Sequence, residues 1–147
     1  MVGFVLLLAI GGVAACGGGD ENEGLSRSVF VARGDALCTQ ARQQTPRAPA
    51  TRDPARLARY LDAVDRVSTA TLTKFRALKP PAGLRDLAGR FLASANARLA
   101  DVRRARDAAR RGDRAGLSAA LRKQERDGVT YRRLAQQIGF KVCGSGG

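Results

Sequence analysis

Between Asp53-Pro54 and Lys79-Pro80-Pro81, apolar side chains recur every three to five residues: Leu57, Leu61, Val64, Val67, Leu72, Phe75 and Leu78. That spacing predicts one long helix with a single greasy stripe. Asp53 suits its N-cap, Pro54 suits its first position, and the Pro80-Pro81 pair stops it. A stripe of this length is stable only when buried against a partner, and the rest of the chain supplies partners of the same kind. A helix over about 28–44 carries Phe30, Val31, Leu37, Cys38 and Ala41, with Ser26 or Ser28 to cap it and Gly34 weakening its middle. The prolines at 46 and 49 make 45–52 a loop. A third helix from about residue 81 shows Leu84, Leu87, Phe91, Leu92, Ala95, Leu99 and Val102. Arg111-Gly112-Asp113 combines a helix stop with a helix start. A fourth helix then carries Leu117, Leu121, Tyr131, Leu134, Ala135 and Ile138 before Gly139 closes it. No segment alternates as a strand does. Short connections favour antiparallel neighbours, so the expected fold is all-α: an antiparallel, up-down four-helix bundle over residues 28–143. Residues 144–147 are expected to be a disordered tail.

The first residues are of another kind. From Val2 to Ala15 the chain is uncharged and apolar. As a helix it would reach about 21 Å, short of the ~30 Å hydrocarbon core of a bilayer, and it reads as the apolar part of a secretory signal. Val13-Ala14-Ala15-Cys16 resembles the bacterial lipobox, in which the cysteine thiol receives a diacylglycerol and cleavage before it makes it the mature N-terminus. The resemblance implies a lipoprotein signal peptide over 1–15, cut between Ala15 and Cys16, with Cys16 as the lipidation site. Residues 16–27, rich in glycine and acid, then form a flexible tether. The start Met1-Val2-Gly3 lacks the usual basic residue of such signals. The expected location is the extracytoplasmic face of the cell membrane, held by acyl chains whose buried methylenes each contribute about 0.8 kcal/mol.

Export places the body where disulfides persist. With Cys16 carrying lipid, Cys38 and Cys143 remain as an even pair near the two ends of the body. Closing a loop of roughly 100 residues would stabilise the fold by about 4–5 kcal/mol in the chain-entropy model. Two thiolates in a chain without histidine fall short of a zinc site, and no Cys-x-x-Cys suggests redox exchange. To reach Cys38, the tail Phe140-Lys141-Val142-Cys143 has to turn back along the first helix.

The segment Phe30 to Cys38, the turn Leu78-Lys79-Pro80-Pro81, the motif Arg110-Arg111-Gly112-Asp113 and the ending Gly139-Phe140-Lys141-Val142-Cys143-Gly144 resemble small helical lipoproteins of high-GC Gram-positive bacteria. The likeness covers essentially the whole mature chain. It implies a lipobox, two paired cysteines and a helical body, and it carries over no catalytic or ligand residue.

The absence of histidine removes triads and the commonest metal ligand. The acidic pairs Asp62/Asp65 and Glu125/Asp127 lack the Glu-x-x-His motifs of a di-metal bundle. Intrahelical pairs Asp62–Arg66 and Asp107–Arg111 are the expected role of these carboxylates. No catalytic residue, cofactor or metal is expected. From residue 27 onward 26 basic residues face 10 acidic ones. The densest basic stretch holds Arg103, Arg104, Arg106, Arg110, Arg111 and Arg114 and offers contact with anionic lipid or cell-wall polymer. Nucleic acid is not an expected partner, since no aromatic lies between Phe91 and Tyr131. Tyr60 and Tyr131 are expected to pack their rings and turn their hydroxyls to water. Gly128, within the fourth helix, permits a close approach or a kink.

Two functions follow as expectations. The first is a non-enzymatic, lipid-anchored envelope protein that docks to anionic surfaces. The alternative is a bundle that binds a small molecule or lipid between its helices. A cavity of about 300 Å³ or more, with apolar walls and converging arginines, would favour the second.

Overall fold

Three of the four helices, α3 being the exception, begin at a side chain that satisfies free backbone donors. The computed structural model describes residues 24–51 and 53–145. Ser26 caps α1 (Arg27–Gln44), accepting from the Val29 amide at 3.4 Å. Asp53 caps α2 (Pro54–Ala77) through the Ala55 amide at 2.9 Å. A 3₁₀ turn, Ala82–Leu84, leads into α3 (Arg85–Arg110). Asp113 caps α4 (Arg114–Ile138) through the Gly116 amide at 2.8 Å. Two glycines end helices in the left-handed region that other residues avoid, Gly112 at φ 68° after α3 and Gly139 at φ 106° after α4. The fold is all-α: four helices pack against one another, and the described residues contain no strand. None of these helices is long and apolar enough to cross a membrane. The signal segment, Ala15, Cys16 and the tether up to residue 23 lie outside the described residues.

The four helices are unequal. At 1.5 Å per residue α1 is about 27 Å long, whereas α2, α3 and α4 each reach about 36–39 Å. Most packing joins α2 to α3 and α3 to α4, and α1 leans on α2. The buried apolar residues divide into two clusters instead of one continuous core. The larger one gathers Phe30, Phe75, Phe91, Ile138 and Phe140 around the Cys38–Cys143 pair. The smaller holds Leu61, Val102, Ala105 and Ala120, toward the far ends of α2 and α3.

Phe140, a tail residue, is the hub of the larger cluster. Its ring lies 5.6 Å from that of Phe30, 5.9 Å from Phe75 and 5.4 Å from Phe91. Gly34, which costs α1 some helix propensity, is what admits it: a Cβ at Gly34 would stand 2.3 Å from the Phe140 ring. Asp35 receives the returning tail, accepting from the amides of Lys141 at 2.9 Å and Val142 at 2.8 Å. The sulfurs of Cys38 and Cys143 then lie 2.01 Å apart, a disulfide that joins α1 to the tail. Gly144 and Ser145, expected to lie beyond the folded body, are tied to it instead. The Arg42 guanidinium donates to the Ser145 carbonyl at 3.0 Å and to its hydroxyl at 2.8 Å, and the Gly144 carbonyl accepts from Gln136 at 3.2 Å. At the other end of α1, the Leu25 amide donates to the Lys79 carbonyl at 2.9 Å, so the chain enters α1 against the proline turn.

Candidate ligand cavity

Beside the buried Leu72 and Leu99, three helices carry small or polar residues at the same level. On α2 the run Leu61, Val64, Ser68, Thr71, Phe75 turns small and polar at Ser68 and Thr71. On α3 the run Phe91, Ala95, Arg98, Val102, Ala105 meets an alanine and then a cation. On α4 the run Leu117, Leu121, Gln124, Gly128, Tyr131 meets an amide and then no side chain at all. Together with Ala41 and Thr45 of α1, these substitutions leave a cavity of about 440 Å³ between the two apolar clusters. Large side chains at those stripe positions would have merged the clusters into one core.

The walls are apolar over most of their extent, from Val64, Val67 and Leu72 on α2 to Phe91, Leu99 and Val102 on α3, with the disulfide at one end. Three guanidinium groups, Arg42, Arg98 and Arg132, also border the space, and no carboxylate does. Arg42 is engaged with the tail, donating to the Val142 carbonyl at 2.6 Å as well as to Ser145. Arg98 and Arg132 take part in none of the ion pairs formed by the described residues. Arg98 lies over the Tyr131 ring, 4.8 Å from its centroid, and its Nε is buried without a hydrogen-bond partner. Burial pulls the Arg98 pKa below its usual value; the nearby Arg132 charge adds to this, while Tyr131, Asp127 and Asp101 oppose it.

Gly128 explains how two cations come together. A Cβ built there would lie 3.2 Å from Nη1 of Arg132 and 3.8 Å from Nε and Nη2 of Arg98. Gly128 thus lies against both guanidinium groups, with Arg132 the tighter neighbour and Arg98, from α3, at ordinary van der Waals distance. Tyr131 departs from expectation. Its ring stacks at 4.9 Å on Phe91, and its hydroxyl points to the Cys38 sulfur at 3.9 Å rather than standing free in water. Burial raises the Tyr131 phenol pKa, with the Arg98 and Arg42 charges acting the other way.

The basic stretch that stood out in the sequence lies elsewhere and is largely occupied. Arg103 pairs with Asp65 at 3.0 Å, Arg106 with Asp65 at 2.6 Å and with Asp107 at 2.9 Å, and Arg110 with Asp62 at 2.8 Å. Asp62 and Asp65 therefore bridge to α3, and Asp107 to its neighbour. The intrahelical pairs Asp62–Arg66 and Asp107–Arg111 do not form: Asp62 takes Arg110 from α3, and Asp107 takes the adjacent Arg106. Their mutual hydrogen bond lowers the Asp107 pKa and raises that of Arg106. Arg104 pairs with the fully buried Asp101, whose other oxygen has Lys123 at 3.6 Å. Only Arg111 and Arg114 of the six remain exposed without a carboxylate partner among the described residues. Among the described residues no three His, Cys, Asp or Glu side chains converge as metal ligands.

Arg98 did not stand out by composition, since one arginine among many carries no signal. Its position does carry one: it occupies the inward stripe of α3, four residues before Val102 and seven after Phe91. No protein-family model matches the chain, and no curated protein or solved structure matches it either.

Proposed function

We propose that the chain is a lipid-anchored, extracytoplasmic binding module that holds a small molecule between its helices and catalyses no reaction. The observation that carries this reading is the 440 Å³ cavity, walled by apolar side chains and bordered by arginines without carboxylates. Its volume falls in the range of ligand sites, about 300–1,000 Å³. A bundle selected for stability alone would fill that level with apolar side chains, as it does in the clusters on either side. Docking to anionic lipid or wall polymer has less support, since Arg103, Arg104, Arg106 and Arg110 already neutralise carboxylates. Anchoring through Cys16 and the outer-face location rest on the lipobox-like Val13-Ala14-Ala15-Cys16.

The finer arrangement belongs to the same proposal. Up-down, antiparallel packing is supported by contacts whose numbers run in opposite directions: Arg76 with Asn96 but Arg110 with Asp62, and Phe91 with Tyr131 but Asp101 with Lys123.

The experiment is native mass spectrometry of the full chain recovered from expressing cells, beside an Ala95→Phe variant that fills the cavity. A bound small molecule on the wild type, absent from the variant, is expected. Ligand-free masses for both proteins, with Ala95→Phe more stable, would refute the binding role. For the anchor, Cys16→Ala should shift the protein out of the membrane fraction; unchanged partitioning would remove that part.

A further inference from the structure

The ligand's chemistry can be narrowed from the two guanidinium groups at Gly128. Arg98 and Arg132 both lie against a residue with no side chain, and neither forms an ion pair among the described residues, although the Asp127 and Asp101 charges reach Arg98. Like charges held together in a partly desolvated space repel, and an orphaned Nε is a donor that burial has stripped of water. Arg103, Arg106 and Arg110 each find a carboxylate within 3.0 Å. The other buried side-chain atom without a hydrogen-bond partner among the described residues, Asp101 Oδ2, has Lys123 at 3.6 Å. Arg98 and Arg132 instead border a hollow that no carboxylate lines. A planar, forked donor with an unpartnered Nε at the edge of a largely apolar hollow is an arrangement that can receive an oxyanion. Arg42 is not part of it, because its donors already bind the tail.

We infer that the cavity takes an amphiphilic oxyanion, its carboxylate or phosphate head between Arg98 and Arg132 and its apolar body along Val64, Val67 and Leu99. This rests on the binding role proposed above. The size follows from the volume: at roughly 30 Å³ per water-sized group, 440 Å³ admits on the order of fifteen non-hydrogen atoms. A medium-length fatty acid or alkyl phosphate fits that limit, whereas a two-chain phospholipid exceeds it. Gln124, Ser68 and Thr71 border the same hollow and supply neutral polar groups for the remaining lone pairs.

The test is calorimetric titration of the full chain carrying Cys16→Ala, so that no attached acyl chain competes. The probes are decanoate, decyl phosphate, decan-1-ol and decyltrimethylammonium. Both anions should bind at least tenfold more tightly than the alcohol, and the cation should bind worst. Whichever anion is tighter identifies the head, and either order supports the inference. Arg98→Met should weaken the anions about 10- to 100-fold, the worth of a charge-assisted hydrogen bond, and leave decan-1-ol within about threefold. Retained decan-1-ol binding also shows that the variant is folded. Equal affinity for decan-1-ol and the anions, or anion binding untouched in both Arg98→Met and Arg132→Met, overturns the oxyanion assignment while the binding role stands. No binding of any of the four probes removes the binding role itself.

Discussion

If Arg98 serves a ligand instead of the fold, replacing it should make the empty protein more stable. Consider Arg98→Met, which keeps a flexible apolar stem of similar length. The substitution removes a buried Nε that has no hydrogen-bond partner. Relieving such a donor is worth about 1–3 kcal/mol. It also ends the repulsion with Arg132 and, acting the other way, the attraction to Asp127 and Asp101, and these charge effects are taken to offset one another. Against this stands the lost contact with the Tyr131 ring at 4.8 Å, a cation–π interaction of about 0.5–2 kcal/mol. The balance is a gain of about 1 kcal/mol. With an unfolding entropy of about 2.1 cal/mol/K per residue, a body of about 120 residues gains about 4 °C in Tm. Differential scanning calorimetry of the full chain at neutral pH and without added ligand measures it. Saturating decanoate reverses the order: at a hundredfold excess over Kd the wild type gains about 2.7 kcal/mol by mass action, and the variant, bound more weakly, gains much less. A Tm that falls by several degrees in Arg98→Met would mean that the guanidinium holds the helices together, and the reasoning from an orphaned cation would fail.

Three further outcomes follow from the packing and the titrating groups. Gly34→Ala gains up to about 1 kcal/mol of helix propensity but places a Cβ 2.3 Å from the Phe140 ring, which three other rings hold in place. Overpacking of about 1–3 kcal/mol should win, lowering the urea midpoint; a raised midpoint would show that the tail repacks freely. Cys143→Ser opens a loop of 105 residues in sequence, and chain entropy sets the loss at about 4–5 kcal/mol, read from urea unfolding of oxidised wild type against variant. A loss below 1 kcal/mol would place the stabilisation in Asp35 and Phe140 alone. Finally, burial holds the Tyr131 phenol above its usual pKa of about 10. Below pH 10 both folded and unfolded chains keep that proton. As pH rises past 10 the unfolded chain releases it first, so stability falls until the folded pKa is passed. Phenolate absorbance against pH, with Tyr131→Phe to assign the step, should show one tyrosine titrating late in the native protein; a normal midpoint for that step contradicts the buried environment.

The helices were legible because their information is local: caps at Asp53 and Asp113, stops at Pro80 and Gly139, and apolar spacing between them all act within a few residues. The cysteine pair was legible by elimination. What stayed hidden depends on contacts between helices. The density of arginines after residue 102 looked like a free surface, yet its charge is answered by Asp62 and Asp65, about forty residues earlier on α2. No spacing rule links those positions. Conversely, Arg98 carried no signal of its own, and Gly34 read as a weak point in its helix, when it clears the space that the Phe140 ring occupies. The cavity had a trace that becomes readable only when three stripes are laid side by side. Ser68, Arg98 and Gln124 each interrupt an apolar run, and any one of them alone is an ordinary lapse in a pattern. Interruptions on three helices that meet at one height have a different meaning. Random lapses would scatter along the bundle and be absorbed by neighbouring leucines, whereas coincident ones cannot be filled from either side. The stability lost by splitting the core into two clusters is therefore concentrated at one level, where two unpaired guanidinium groups also converge. Packing alone would favour neither feature, and an anionic ligand at that level would compensate for both.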